Sequence, residues 1–428
     1  MLLGGKVSEG QSLYIQIIDQ TAPLAGWCEG FFNLVFGSSL TARHIFSLFI
    51  LMVQATYLGV VFINKKAYSE STFIPSLTFV IFFSFSFDTL ALTPELIGSG
   101  FLLLALNNLF KEIEFREQRD ESIFNLGLYV SIASLFSFSY SIYLVASIVI
   151  LAVFTRLELR KYLLLICGFA IPHMLLISIF FLRNGLPSLW EFYYLPNLRF
   201  DIFFYTPAKS IWILIALPLL YLVVSFVMLN REARFTKYQS QLVQAMFFWM
   251  IFSVIQIFYS KGIRPQSFIT LIPGACFYLS HFLLMIRRRR FAEINLWILL
   301  VGIVAINYLS RYEKLSGVRF GELLVHPSTY VNVKQKSILV LANDPAAYQE
   351  NRLASSFVSW PLSQEIFTHP EYYENVIRVK NGILRDPPEI ISDPQNLMDA
   401  FLKRIPELKD LYQKTAPGEY QRIKRKTI

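Results

Sequence analysis

Residues 9–36 read EGQSLYIQIIDQTAPLAGWCEGFFNLVF. The stretch joins an acidic residue, Asp19, to the turn-prone Pro23 and then to an amphipathic run. After Pro23, the apolar residues Leu24, Trp27, Phe31, Leu34 and Val35 recur at helical spacing, with Glu29 and Asn33 elsewhere on the wheel. A helix of that kind lies in a membrane interface instead of crossing the bilayer. The pattern predicts a carboxylate at a membrane surface, beside a helix that can seat a lipid-borne substrate. The rest of the chain reads as scaffold for that corner.

The scaffold is apolar. Of 428 residues, 54% are hydrophobic and 16% aromatic, only 16% are charged, and the mean hydropathy is +0.47. A soluble globular chain carries about 25% charged residues, so these charges are too few to cover a soluble surface, and a polytopic membrane protein fits. The net charge of +9 suggests nucleic acid at first sight, but basic loops on one side of a membrane explain it, and no nucleic-acid partner is expected. Three scattered cysteines, Cys28, Cys167 and Cys276, give no disulfide framework and no CxxC metal site. The opening MLLGGKVSEGQS lacks the apolar core of a cleavable signal peptide.

Ten apolar segments follow, at about 42–64, 72–90, 94–112, 122–137, 140–155, 160–182, 209–229, 241–259, 266–286 and 292–310. Most approach the roughly 20 residues that cross a bilayer as a helix. The fourth and fifth are short and separated only by SFSYS, which reads as a tight hairpin or as one broken re-entrant unit. The loops after segments one, three, five, seven and nine hold the larger share of Lys and Arg, including Lys65-Lys66, Arg160-Lys161 and Arg287 to Arg290. The positive-inside rule then places Met1, Asp19 and the C-terminal tail outside the cytoplasm. The sequence divides into an extracytoplasmic loop with an interfacial helix (1–41), a transmembrane domain (42–310) and a soluble α/β domain (311–428). In the last, SILVLA (337–342) and EIIS (389–392) read as strands. Residues 348–384 read as helical with breaks near Pro361 and Pro370, and Leu397 to Tyr412 as helical around Pro406. The fold class expected is an α-helical polytopic membrane protein of about 10 segments with a small C-terminal α/β extracytoplasmic domain.

Several residues have the chemistry for work on a lipid phosphate. Asp19 reads either as a base at the interface or as a loop aspartate turning the chain before the helix. Thr93-Pro94-Glu95 is a helix start, with Thr93 as N-cap and Pro94 at N1, and it leaves Glu95 at membrane depth, where ionisable groups are costly and often functional. Asp88 reads as a second acid of that loop. Basic residues on the outer side run against the topology rule: Arg183, Arg199, Lys209, Lys261 and Arg264. They read as headgroup-snorkelling side chains or as donors to a phosphate, with Arg264 in SKGIRPQSFITLIPG the leading donor. The loop 184–207 is rich in aromatics, and Trp190, Tyr193, Tyr194 and Tyr205 suit a sugar face or an interfacial belt. His173 and His281 stand alone in apolar segments and suit interhelical hydrogen bonds. No Walker loop, GxSxG or HExxH occurs.

With these residues in place, the chain resembles the GT-C superfamily of integral-membrane glycosyltransferases, which includes protein mannosyltransferases and aminoarabinose transferases. The resemblance rests on G-x-x-L-Y-x-x-x-x-D-x-x-x-P-L, here Gly10, Leu13, Tyr14, Asp19, Pro23 and Leu24, followed by the interfacial helix, and on the RPQSFITLIP stretch. It implies transfer of a sugar from a polyprenyl-phosphate-linked donor to a lipid, glycan or protein acceptor on the periplasmic side of a bacterial inner membrane. Asp19 and Glu95 would be catalytic, and Arg264, Lys261, Arg183, Tyr14 and Trp190 would bind substrate, with a divalent metal ion an open option. Asp19, Glu95 and Arg264 are expected to meet in one cavity. Two features depart from the family. Gln16 stands where many relatives have an acid. Met1 also falls inside the loop that follows the family's first transmembrane helix, so either the true start lies upstream or the chain is a shortened relative that lacks this helix. Both keep open a second reading, a non-catalytic membrane subunit of an envelope assembly. A secondary transporter fits less well, because no repeat relates the two halves.

Overall fold

The computed structural model describes residues 2–114, 120–155, 158–200, 202, 204, 207–232, 235–260, 262–315, 317–318, 327–328, 330–331 and 333–423. Two compact units emerge, one of Ser39–Ile179 and Arg199–Leu323, the other of Met1–Ser38, Phe180–Leu198 and Leu324–Ile428. The loop and the C-terminal domain, separate in the sequence reading, therefore share a unit, joined by a short piece from mid-chain. Composition cannot reveal that grouping, because backbone bonds and ion pairs between distant polar segments create it.

The first of these units is helical and belongs to a multi-pass membrane protein. Among the described residues, seven helices are long and apolar enough to cross a membrane: Leu40–Asn64, Pro94–Glu114, Leu159–Leu182, Ala208–Arg231, Lys237–Tyr259, Pro265–Met285 and Arg289–Arg311. Asp120–Phe136 and Ile142–Phe154 are shorter and are joined by one tight turn at Phe138–Ser141. Close packing comes from small residues. A Cβ on Gly127 would lie 2.1 Å from the Leu165 carbonyl oxygen, and one on Gly168 would lie 2.3 Å from that of Phe124, so two glycines let these helices touch backbone to backbone. His173 accepts the interhelical role, with Nε2 2.9 Å from the Ser134 hydroxyl.

The second apolar segment is not one span. Its helix covers only Ile74–Phe83, and a 3-10 turn, Phe87–Leu90, follows. A break at this depth leaves carbonyls without helical donors, and they must find others. The Asn307 amide donates to the carbonyls of Ser84 (2.9 Å) and Phe85 (3.1 Å), and the Thr89 hydroxyl lies 2.5 Å from the carbonyls of Phe83 and Ser86. The ends of the unit are distinct. At one, Lys65 pairs with Glu114 (2.6 Å), and Gln239 approaches the Lys66 carbonyl. At the other, Ser47 donates to the Leu90 carbonyl and Gln266 to that of Asp88. Helices Leu40–Asn64 and Pro94–Glu114 therefore run the same way, with the short helix Ile74–Phe83 returning between them.

The second unit begins with helix Leu2–Ser8, which crosses helix Pro23–Phe36. A Cβ on Gly4 would be 2.6 Å from the Glu29 carbonyl oxygen, and one on Gly30 would be 2.4 Å from Val7 Cγ1. The inner face of the second helix is small (Ala25, Gly26, Gly30). Phe32 is buried on that side as well, while Phe31 (61% exposed) and Leu34 (71%) point outward. Among the described residues, the α/β part holds five strands, β1 Ser337–Val340, β2 Arg352–Leu353, β3 Ile390–Ser392, β4 Tyr412–Ala416 and β5 Glu419–Arg422, in the order β2-β1-β3-β5-β4. β1 is parallel to β2 and β3, and β5 is antiparallel to β3 and β4. β1 and β3 lie where the sequence indicates. The hairpin β4–β5 does not, since the helix expected to reach Tyr412 ends at Lys409 and the chain turns back at Gly418 (φ 75°). Pro361 opens helix Trp360–Thr368 and does not break one.

Candidate active site

Asp19 sits in the turn between the two amino-terminal helices, and every neighbour in that turn is tied down. Ile18 N–H donates to the Ser356 carbonyl (2.9 Å), and Ser359 N–H donates back to the Ile18 carbonyl (3.1 Å). The Asn197 amide donates to the Gln20 carbonyl (3.2 Å), and Thr21 N–H donates to Asp19 Oδ1 (2.6 Å). The carboxylate is 7% exposed, and that burial pushes its pKa above the ordinary aspartate value, against the opposing hydrogen bonds of Thr21 and Gln20. A carboxylate that binds protons more tightly than usual is a better base at neutral pH. The side chain accepts from the backbone N–H two residues on, the turn geometry of a loop aspartate.

Tyr14, read from sequence as substrate-facing, is fully buried. Its hydroxyl donates to the Thr21 carbonyl (2.5 Å), and its ring packs on Phe180 and Tyr193 at centroid distances of 5.5 and 5.8 Å. It adopts φ 62°, a left-handed conformation that a bulky residue rarely takes. Tyr14 therefore braces the Asp19 turn from within. Gln16 Oε1 accepts from Ser12 N–H (2.9 Å), which closes the loop on itself. Trp190 is exposed and packs on Tyr194. Arg183 is exposed just beyond helix Leu159–Leu182.

Glu95 and Arg264 meet within the helical unit. Thr93 Oγ1 accepts from Leu96 N–H (3.3 Å), and Pro94 and Glu95 open the helix, as the sequence indicates. Arg264 lies one residue before Pro265, the first residue of the 3-10 turn that leads helix Ile272–Met285. Its Nη2 lies 2.5 Å from Glu95 Oε1, while the other carboxylate oxygen, Oε2, is buried and makes no hydrogen bond. The Tyr140 hydroxyl donates to the Glu95 carbonyl (3.0 Å). The guanidinium stays 42% exposed, against 12% for its partner. Beside Arg264, Ile263 and Phe268 help line a cavity of about 240 Å³ whose walls, including Phe85, Trp212, Ile215 and Phe258, are apolar.

Asp19 thus belongs to one unit and the Glu95–Arg264 pair to the other. Lys261 and Tyr205 lie outside the described residues. Among the described residues, no group of three His, Cys, Asp or Glu gathers to hold a metal ion. The residues that fix the Asp19 turn, Ser356, Ser359, Phe180 and Asn197, carried no sequence signal. Tyr193 did, as one of the aromatics in the 184–207 loop.

Apolar helices long enough to cross a membrane, an acidic turn followed by a helix with an exposed apolar face, and a small α/β region together make up the fold of a multi-pass membrane protein. The solved structure of ArnT from Cupriavidus metallidurans bound to undecaprenyl phosphate is similar to it over 99% of this chain and 92% of that one, with a TM-score of 0.56 and 10% sequence identity. No protein-family model and no curated protein matches the sequence.

Proposed function

We propose that the chain is an inverting glycosyltransferase of a bacterial inner membrane. It would take a sugar from a polyprenyl-phosphate-linked donor and pass it to a lipid, glycan or protein acceptor on the periplasmic face. The observation that carries this reading is the fold shared end to end with a protein whose structure contains undecaprenyl phosphate, together with a buried, braced Asp19. In the reaction, the acceptor oxygen attacks the anomeric carbon, and Asp19 takes the hydroxyl proton. The bond from that carbon to the phosphate oxygen breaks, and the lipid phosphate leaves with the electron pair. Arg264 stabilises the charge that grows on the phosphate, where a preorganised cation contributes most. Glu95 orients the guanidinium until the phosphate competes for it. The apolar cavity beside Ile263 suits a polyisoprenoid tail. Trp190, on an exposed aromatic pair, suits a sugar face, and Arg183 and Lys261 are further candidates for phosphate contact.

Asp19 acts as the base through its own carboxylate. A metal requirement is read by chelation in the transfer assay. The deciding experiment is sugar transfer from a polyprenyl-phosphate donor by purified protein, wild type against Asp19→Asn. Undiminished transfer by well-folded Asp19→Asn removes the catalytic role. The second reading, a non-catalytic subunit, is favoured by one detail: the Gln16 side chain closes a turn and is not free for a substrate. Stable co-purification with a larger complex, without carrier-lipid binding, would support it.

A further inference from the structure

The C-terminal α/β domain touches the Asp19 turn in three ways, each from a different part of its chain. The first is a backbone bridge. Ile18, the residue before Asp19, exchanges hydrogen bonds with the carbonyl of Ser356 and the N–H of Ser359, and Ile18 and Phe357 form a one-residue parallel ladder. The second is a charge network. Lys6 is 2% exposed and pairs with Asp386. Arg352 reaches both Asp386 (3.2 Å) and Glu9 (3.0 Å), and Glu9 lies 3.7 Å from Lys6. Two cations and two anions thus lock helix Leu2–Ser8 and Glu9 to the start of β2 and the end of helix Tyr373–Arg385. The third runs through the mid-chain piece. Arg378 grips both oxygens of Glu191 with its guanidinium fork (2.6 Å each) and packs over Phe192 at 5.1 Å. From that same helical turn, Tyr193 stacks on Tyr14, and Asn197 holds the Gln20 carbonyl.

We propose that this domain is the holder of the Asp19 turn, with Arg378 and Asp386 as positioning residues that set where the carboxylate stands. The physical reason is that the turn has little structure of its own. Residues 9–22 contain no helix, and Tyr14 sits in a strained conformation that only surrounding contacts can maintain. Each distant tie removes freedom from the turn. A fork-to-fork arginine–carboxylate pair fixes direction as well as distance. The inference rests on the proposed base role of Asp19 only for its catalytic consequence. The structural claim stands on the contacts alone.

The test is hydrogen–deuterium exchange on the full chain in nanodiscs, read by mass spectrometry over residues 12–22. The proteins compared are wild type, Arg378→Gln, Arg378→Lys and Asp386→Asn. Loosened by Arg378→Gln, the amides of Ile18 and Thr21 are expected to exchange about 10-fold faster, with Arg378→Lys between that value and wild type. Asp386→Asn is expected to speed the same peptide by a different route, so the proposal does not depend on one variant folding. In the transfer assay, the same variants are expected to lower kcat with little change in donor KM. Unchanged exchange over 12–22 in both Arg378→Gln and Asp386→Asn overturns the proposal, whatever the activity. Full activity in Asp19→Asn with faster exchange in these variants would remove the base role and leave the holder in place.

Discussion

The molecule carries two candidate acids in two different settings. Glu95, in the helical unit, faces a guanidinium 2.5 Å away. Asp19, in the other unit, is held by backbone amides and by a turn that distant segments brace. The contrast separates two jobs. A carboxylate locked onto arginine orients the cation. A buried carboxylate with a raised proton affinity suits proton transfer. Asp19 and Glu95, which the sequence reading groups as a catalytic pair, thus stand in different settings.

The largest expected effect breaks this division on the Asp19 side. Asp19→Asn should lower kcat by about 10²–10⁴-fold, the range a general base contributes. Glu95→Gln should cost far less. Equal losses in the two variants, measured in one transfer assay, would erase the distinction. Arg264→Ala comes next, with a loss of about 10²–10³-fold in kcat, and Arg264→Lys should recover part of it, since a point charge replaces a fork. Glu95→Gln should also tighten donor binding by several-fold, because the competing anion is gone, and donor KM reads this directly.

Acid–base behaviour sharpens the comparison inside the Asp19 unit itself. Burial raises Asp19's pKa, so its contribution to stability is present at low pH and lost as pH rises through the folded value. Asp386 is also partly desolvated, which alone would raise its pKa, but the bond and charge of Lys6 and the charge of Arg352 outweigh that and hold it below the ordinary value. Its contribution is present at neutral pH and lost as pH falls through the folded pKa. The signs are opposite. At pH 8, Asp19→Asn should melt a few degrees higher than wild type and Asp386→Asn lower. The acid limb of the kcat profile should lie above the ordinary aspartate value, since Asp19 must be ionised to act. A limb at the ordinary aspartate value would remove the link between burial and catalysis.

How much of this was legible beforehand depends on the range of the forces involved. Local patterns gave most of the apolar helices, the helix from Pro23, the Thr93-Pro94 helix start and the strands at 337–340 and 390–392, because hydropathy and turn residues act within a few positions. The break after Phe83 stayed hidden, since its carbonyls are satisfied by Asn307, more than 200 residues away. The β4–β5 hairpin stayed hidden because YQKTAPGEYQR has almost no apolar alternation and is ordered by pairing with β3. Glu95 and Arg264 were each visible as charges in costly places, but only the fold makes them partners. Tyr14 was noticed for its place in a motif and proved to be an internal brace, a role set by rings at 180 and 193 that no nearby pattern announces.

The smallest effect concerns the exposed apolar face of helix Pro23–Phe36. Helix Pro23–Phe36 turns Phe31 and Leu34 outward while its glycine side packs on helix Leu2–Ser8. If that face lies in the headgroup–acyl boundary, each large side chain gains part of the roughly 1.5–3 kcal/mol that full burial gives. Removing one weakens the seating of the helix without touching the Asp19 turn, which is held from the other side. Phe31→Ser and Leu34→Ser should therefore raise donor KM in nanodiscs by about 2–5-fold and leave kcat near wild type. The same variants should reduce quenching of Trp27 by brominated lipid, read as the difference from a Trp27→Phe control. A fall in kcat with unchanged quenching would mean that the face braces the turn and does not rest on the bilayer, and the helix would then belong with Arg378 and Asp386 among the holders.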